Sequence, residues 1–200
     1  FTIYNALPPG FSIVRENRSF VRPITIGVVS RLEEIKGMDL VVPAFAQVKK
    51  RYPDTRLVIV GEGSLRVKMQ RQVQECDCTD NVEWAGRQPQ ERLMEWYRRM
   101  DIVLMPSRSE GFGLTAIEAM ANGCVVVASR TGGLPEVVQD GVVGLLHKVG
   151  SIDDMANKII SLIATPELLQ KYSSEAIRYV RRYSFERYSQ LFNGLYKRII

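Results

Sequence analysis

The residues most able to do chemistry lie together in Pro106–Gly123, PSRSEGFGLTAIEAMANG. Two carboxylates, Glu110 and Glu118, stand on either side of a Gly111-Phe112-Gly113 turn. An apolar run, Ile102–Met105, feeds into the stretch, and a helical pattern, Leu114–Ala121, leaves it. A strand that turns on glycines into a helix is a place to hold an anion. The freed backbone N–H groups at the helix start and the positive end of its dipole both favour phosphate. Carboxylates are wrong for phosphate, but an ionised carboxylate accepts hydrogen bonds from hydroxyls. The pattern therefore points to a ligand with hydroxyls beside its phosphates, and a sugar nucleotide has both. On a helix starting near Gly113, Glu118 sits about a turn and a half in, still near the ligand end.

Such a stretch needs a scaffold, and the chain is long enough to make one. Its 200 residues are 46% hydrophobic and 24% charged, which supports one well-buried core. The formal net charge of +5 is mild. Lys and Arg are scattered over helix-like segments, with Lys49-Lys50-Arg51 the densest run. They read as solvated faces, so no nucleic-acid partner is expected. Cys76, Cys78 and Cys124 have no His near them in sequence and read as reduced thiols of a cytoplasmic protein. No apolar run approaches membrane-spanning length. The chain opens on Phe1, which reads as a piece of something longer.

Strands and helices alternate along the chain. Residues 1–23 read as a strand end, a Pro-Pro-Gly break and a linker. Ile24–Val29 is a continuous apolar run, as in a strand buried on both faces. A loop, Ser30–Gly37, precedes a helix marked by Leu40, Val41, Ala44, Phe45 and Val48. The unit repeats with strands at Leu57–Val60, Val82–Trp84, Ile102–Met105, Val125–Ala128 and Gly144–Leu146. Leu65, Met69 and Val73 mark one intervening helix, and Leu93, Met94 and Tyr97 another. Thr131–Glu136 reads as a turn. From Asp153 the pattern is purely helical, in three helices. This predicts an α/β fold: a Rossmann-like, doubly wound parallel sheet of about six strands with helices on both faces, then C-terminal helices. Ligands of such sheets bind at the carboxyl ends of the strands.

At these residues the sequence resembles the retaining glycosyltransferases of family 4, in their C-terminal, donor-binding domain. The motifs stand in order: Ser30-Arg31-Leu32 with Lys36-Gly37, Gly61-Glu62-Gly63, Gly86-Arg87, Pro106-Ser107, the Glu110/Glu118 stretch, Gly132-Gly133 with Pro135-Glu136, and Gly141 with Gly144. Ser30 departs from the Gly of many relatives. The resemblance implies that Glu110 accepts hydrogen bonds from the transferred sugar and faces the reacting centre, and that Glu118 holds the ribose. On the residues alone, each carboxylate also reads as an ordinary helix charge, Glu110 at the helix start and Glu118 on a solvated face. Gly111 and Gly113 let the backbone come close, so the N–H groups of Phe112, Gly113, Leu114 and Thr115 are candidates for the distal phosphate. Arg31 and Lys36 would neutralise the diphosphate leaving group. Gly61 and Gly63 would flank the donor, and Gly86-Arg87 would meet the base through backbone groups; the alternative is that they form tight turns. No metal and no other cofactor is expected, since the sequence has no suitably placed Asp-x-Asp pair and the family typically needs none. His147, the only histidine, reads as structural.

The implied whole is a two-domain (GT-B type) hexosyltransferase using a nucleoside-diphosphate sugar such as a UDP- or GDP-hexose. Residues 1–23 would be an interdomain remnant, 24–182 the donor domain, and 183–200 a helix that packs on its own domain or on an N-terminal acceptor domain. A sugar-nucleotide epimerase of the same fold and a non-catalytic binding module are the alternatives. The expected location is cytoplasmic, with association at the membrane's cytoplasmic face left open.

Overall fold

The computed structural model describes residues 4–8, 11–14 and 18–199. Six strands form one fully parallel sheet: β1 (Thr25–Val29), β2 (Arg56–Val60), β3 (Val82–Gly86), β4 (Ile102–Met105), β5 (Val125–Ser129) and β6 (Gly144–His147), in the order β3-β2-β1-β4-β5-β6. The order reverses between β1 and β4, where Ile26 pairs with Ile102 and Gly27 with Val103. That gap is the switch point of a doubly wound sheet, the place where its strand ends leave a crevice.

Alternate residues of each strand feed two cores. Ile26 and Val28 of β1, Leu57 and Ile59 of β2, and Ile102 and Leu104 of β4 join one core. Helices α1 (Met38–Arg51), α2 (Arg66–Glu75) and α6 (Ile152–Ala164) cover that face. Val58, Val60, Val103 and Met105 point the other way, under α3 (Gln90–Arg98), α4 (Leu114–Ala121) and α7 (Pro166–Val180). Burial on both faces is why these strands are runs of Val, Ile and Leu rather than alternating patterns. Proline at position 43 interrupts the hydrogen-bond ladder of α1, since it has no N–H to donate to Asp39 O. The Gln72 side-chain amide donates to that carbonyl instead, at 3.0 Å.

Two parts differ from the sequence-based expectation, and the last helix is formed as expected. Thr131–Glu136 contains the start of a one-turn helix, α5 (Leu134–Val137), whose Leu134 and Val137 are buried. Pro135 pre-sets its first turn, where a missing N–H costs nothing. The N-terminal segment carries no strand among its described residues, and Phe1–Ile3 lie outside them. It is not a loose linker either: Leu7 is buried, its N–H donates to Tyr183 O at 2.8 Å, and the Val14 N–H donates to Ala121 O at 2.9 Å. The last helix, α8 (Phe185–Ile199), exposes Phe185, Phe192 and Tyr196. Among the described residues, no helix is long and apolar enough to cross a membrane.

Candidate functional site

A cavity of about 550 Å³ opens at the switch point. Its lining includes Arg31 and Lys36 from the loop after β1, and Glu110–Thr115 from the loop after β4 and the start of α4. Eight of the residues singled out in the sequence therefore meet in one place: Arg31, Lys36, Glu110, Gly111, Phe112, Gly113, Leu114 and Thr115.

The two loops are stapled together beneath the cavity. Arg108 makes a two-pronged pair with Asp39, at 2.7 and 2.8 Å, and donates to Glu34 O. Its own N–H donates to Ile35 O at 2.9 Å. The guanidinium holds the Asp39 carboxyl below the usual carboxylate range. Gly37 has a left-handed backbone, and a methyl there would lie 2.0 Å from Pro106 O, so the loops touch backbone to backbone. On the far side, Gly132 (φ +50°) packs so closely that a methyl would lie 1.8 Å from Glu110 O. The Gly133 N–H donates to the same carbonyl at 3.2 Å. The late Gly-Gly pair is thus the floor under Glu110, a role that local sequence does not reveal.

Within the cavity the charges are organised. Lys36 Nζ donates to Glu110 Oε2 at 2.7 Å, and the Ser107 hydroxyl donates to the same oxygen at 3.3 Å. Arg31 is exposed at the edge and, among the described residues, pairs with no carboxylate. Gly113 caps α4 in a left-handed conformation (φ +99°) with no side-chain cap. The N–H groups of Leu114 and Thr115 therefore start the helix without intrahelical acceptors. One exposed cation, one paired cation and bare N–H groups at a helix start make a site for a polyanion. Beside them stands the Glu110 carboxylate, a group that can only accept hydrogen bonds when ionised.

The other predicted residues sit around this centre. Glu118 is only 8% exposed, which overturns its reading as a solvated helix charge. The Tyr97 hydroxyl donates to its Oε2 at 2.8 Å, and burial pushes its carboxyl above the usual range. Gly61 and Gly63 do not line the cavity. Methyls at these positions would lie 1.8 Å from Ser30 O and 2.5 Å from Leu32 O, so both glycines let the β2 loop back the loop that carries Arg31. The Gly61 N–H donates to Gly86 O at 2.8 Å, and Arg87 beyond it is exposed. His147 is 1% exposed at the sheet's edge strand, outside the cavity. Asn5 and Met38 also line the cavity, and sequence reasoning singled out neither for the site. Tyr4, next to Asn5, stacks on Phe112 with ring centroids 5.9 Å apart.

Comparisons with known proteins bear on the family and the fold. The family model for glycosyl transferases group 1 matches residues 12–179, and the chain belongs to that family. The D-inositol 3-phosphate glycosyltransferase of Segniliparus rotundus is 36% identical over 165 residues, 80% of this chain and 37% of that protein. The chain thus spans well under half the length of this relative. The C-terminal domain of LpcC, a glycosyl transferase group 1 family protein of Francisella tularensis, aligns with a TM-score of 0.79 at 27% identity, over 88% of this chain and 97% of that one. Anabaena HepE, solved in complex with UDP, gives a TM-score of 0.79 at 26% identity, over 87% of this chain and 48% of that one.

Proposed function

We propose that this chain is the donor-binding half of a retaining glycosyltransferase, which moves a hexose from a nucleoside-diphosphate sugar to an acceptor hydroxyl. The observation that carries the reading is the switch-point cavity, where Arg31, Lys36 and the α4 N-terminus meet Glu110. In this reading Arg31 and Lys36 hold the diphosphate, with the N–H groups of Phe112–Thr115 on its distal phosphate. Breaking the glycosidic bond builds negative charge on that group. Fixed cations and oriented N–H groups aimed at developing charge are usually the largest single contribution to rate. Diphosphate binding draws Lys36 from Glu110, and the freed carboxylate accepts hydrogen bonds from the sugar hydroxyls. Glu118 takes the ribose, while Gly61, Gly63 and Arg87 shape the base end. The fixed cations do the work a metal does elsewhere, so the reading includes no metal.

UDP in Anabaena HepE supports a nucleotide ligand for this fold. The near-complete match to a C-terminal domain supports an acceptor-binding domain preceding this one. Closing the cleft between them would complete the site and exclude water. Residues 1–200 alone should then bind nucleotide weakly and turn over little or nothing. The proposal places the full enzyme in the cytoplasm, with a peripheral seat at the membrane that exposed Phe185, Phe192 and Tyr196 support. Glu110→Ala in the full-length protein tests the assignment. Loss of transfer with nucleotide binding largely kept supports it. Unchanged transfer overturns it, and a non-catalytic module would show binding with no transfer in the unsubstituted protein.

A further inference from the structure

Tyr97 is a residue to which the functional reading gives no part. It lies near the end of α3 and is fully buried, in the core on the α4 side of the sheet. A Phe would fill the same space without bringing a polar atom inside, so the hydroxyl needs a partner. That partner is Glu118, whose Oε2 accepts from it at 2.8 Å. Among the described residues, Glu118 Oε1 receives no hydrogen bond, and it is not sealed from solvent. The carboxylate is thus half used, with one oxygen fixed and the other without a hydrogen-bond donor among the described residues.

The fixing is itself well supported. Arg18 donates to Tyr97 O at 3.3 Å and to Arg98 O at 2.7 Å, and also pairs with Asp101 at 3.2 Å. The Cys124 thiol donates to Tyr97 O at 3.0 Å. The Asn122 side chain donates to Glu118 O at 2.9 Å, which steadies the α4 turn below the carboxylate. Both ends of the Tyr97–Glu118 bond are therefore held by independent contacts.

We infer that Tyr97 is a positioning residue: its hydroxyl locks one Glu118 oxygen so that the other meets the ribose hydroxyls of the nucleotide. The inference rests on the reading of Glu118 as the ribose-binding carboxylate. A hydrogen bond to a carboxylate held in place is short and strong, and a carboxylate free to turn loses that alignment.

The test is calorimetric titration of the full chain and of Tyr97→Phe with UDP, 2′-deoxy-UDP and 3′-deoxy-UDP, or the matching GDP set where GDP is the nucleotide bound. The unsubstituted protein should prefer the ribose form over at least one deoxy form by about tenfold. In Tyr97→Phe the ribose form should weaken by about three- to tenfold while that deoxy form stays within about twofold, so the preference collapses. An equal fall for both forms would mean that Tyr97 only supports packing, and an unchanged preference would mean that it does nothing here. Either result overturns the inference. Glu118→Gln separates the two levels. If it erases the preference and Tyr97→Phe does not, only the Tyr97 inference fails. If it leaves every affinity untouched, the ribose role of Glu118 fails and takes Tyr97 with it. Should Tyr97→Phe not fold, the double variant with Glu118→Gln removes the buried charge. It should match Glu118→Gln in affinity, and a further drop beyond about threefold would refute the inference.

Discussion

Replacing Gly132 by Ala probes the floor under Glu110, and Gly141→Ala is its control. Both glycines have left-handed backbones, with φ of +50° and +72°. An Ala in that conformation costs about 1 kcal/mol. The surroundings differ: a methyl at Gly141 meets nothing within 4 Å, whereas at Gly132 it lies 1.8 Å from the Glu110 carbonyl oxygen. The methyl is fixed by the backbone and the oxygen belongs to it, so no rotamer change relieves the clash. They must move apart by about 1.2 Å before the contact reaches even 3.0 Å. The Gly133 N–H bond to the same carbonyl, 3.2 Å long, lies on that seam and is expected to break. Its loss adds about 1 kcal/mol. Gly141→Ala should therefore cost about 1 kcal/mol and Gly132→Ala about 2–4 kcal/mol. For a chain of this size that is about 2–4 °C in Tm for the first and roughly twice to four times as much for the second. The functional consequence is sharper, because displacing a positioned group by about 1 Å costs on the order of a hundredfold in rate. Denaturant unfolding of both variants gives the stabilities, and transfer by the full-length enzymes gives the rates. Equal stability losses, or a Gly132→Ala enzyme that transfers like its parent, would refute the claim that this glycine seats Glu110.

Three more perturbations follow from the same geometry. Arg108→Ala should cost about 1–2 kcal/mol by breaking its pair with Asp39, and should weaken nucleotide binding as the two cavity loops separate; equal nucleotide affinity would contradict the staple. Asp39 adds an acid dependence: its folded carboxyl lies below the ordinary 3.8, so its contribution is present above that pH and is lost as pH falls through the folded value. Asp39→Asn should flatten the unfolding free energy in that window. Burial lowers the His147 pKa below 6.5, so the neutral ring favours folding at and above neutrality and the chain loses stability as pH falls below 6.5. His147→Gln should remove this slope, and an identical slope in both proteins would exclude His147 as its source.

The scaffold was legible because its signal is local. Short apolar segments alternating with amphipathic patterns located all six strands, and Leu114–Ala121 was placed to the residue because glycines bound it on both sides. The cavity's cations and carboxylate were legible for a related reason: loops that follow strands of a parallel sheet share one edge. What escaped depends on contacts between distant segments. Gly132 and Glu110 meet across the crevice through backbone, and no periodicity reports such a contact. Tyr97 sits at a core position of an amphipathic helix, so the pattern counts it as apolar and hides its hydroxyl. Glu118 was singled out, but its burial was not, since the partner that makes that burial tolerable lies on another helix. The N-terminal segment has no pattern of its own and takes its shape from what it crosses, as Leu7 and Tyr4 do against Tyr183.

The most direct measurement is calorimetric titration with UDP, GDP and ADP, repeated on Arg31→Ala and Glu118→Ala. If the switch-point cavity is the nucleotide-sugar site, one nucleotide binds, and each substitution weakens it by about tenfold or more. Binding that both substitutions leave unchanged would place the nucleotide elsewhere and contradict the account. So would the absence of binding by the full-length protein.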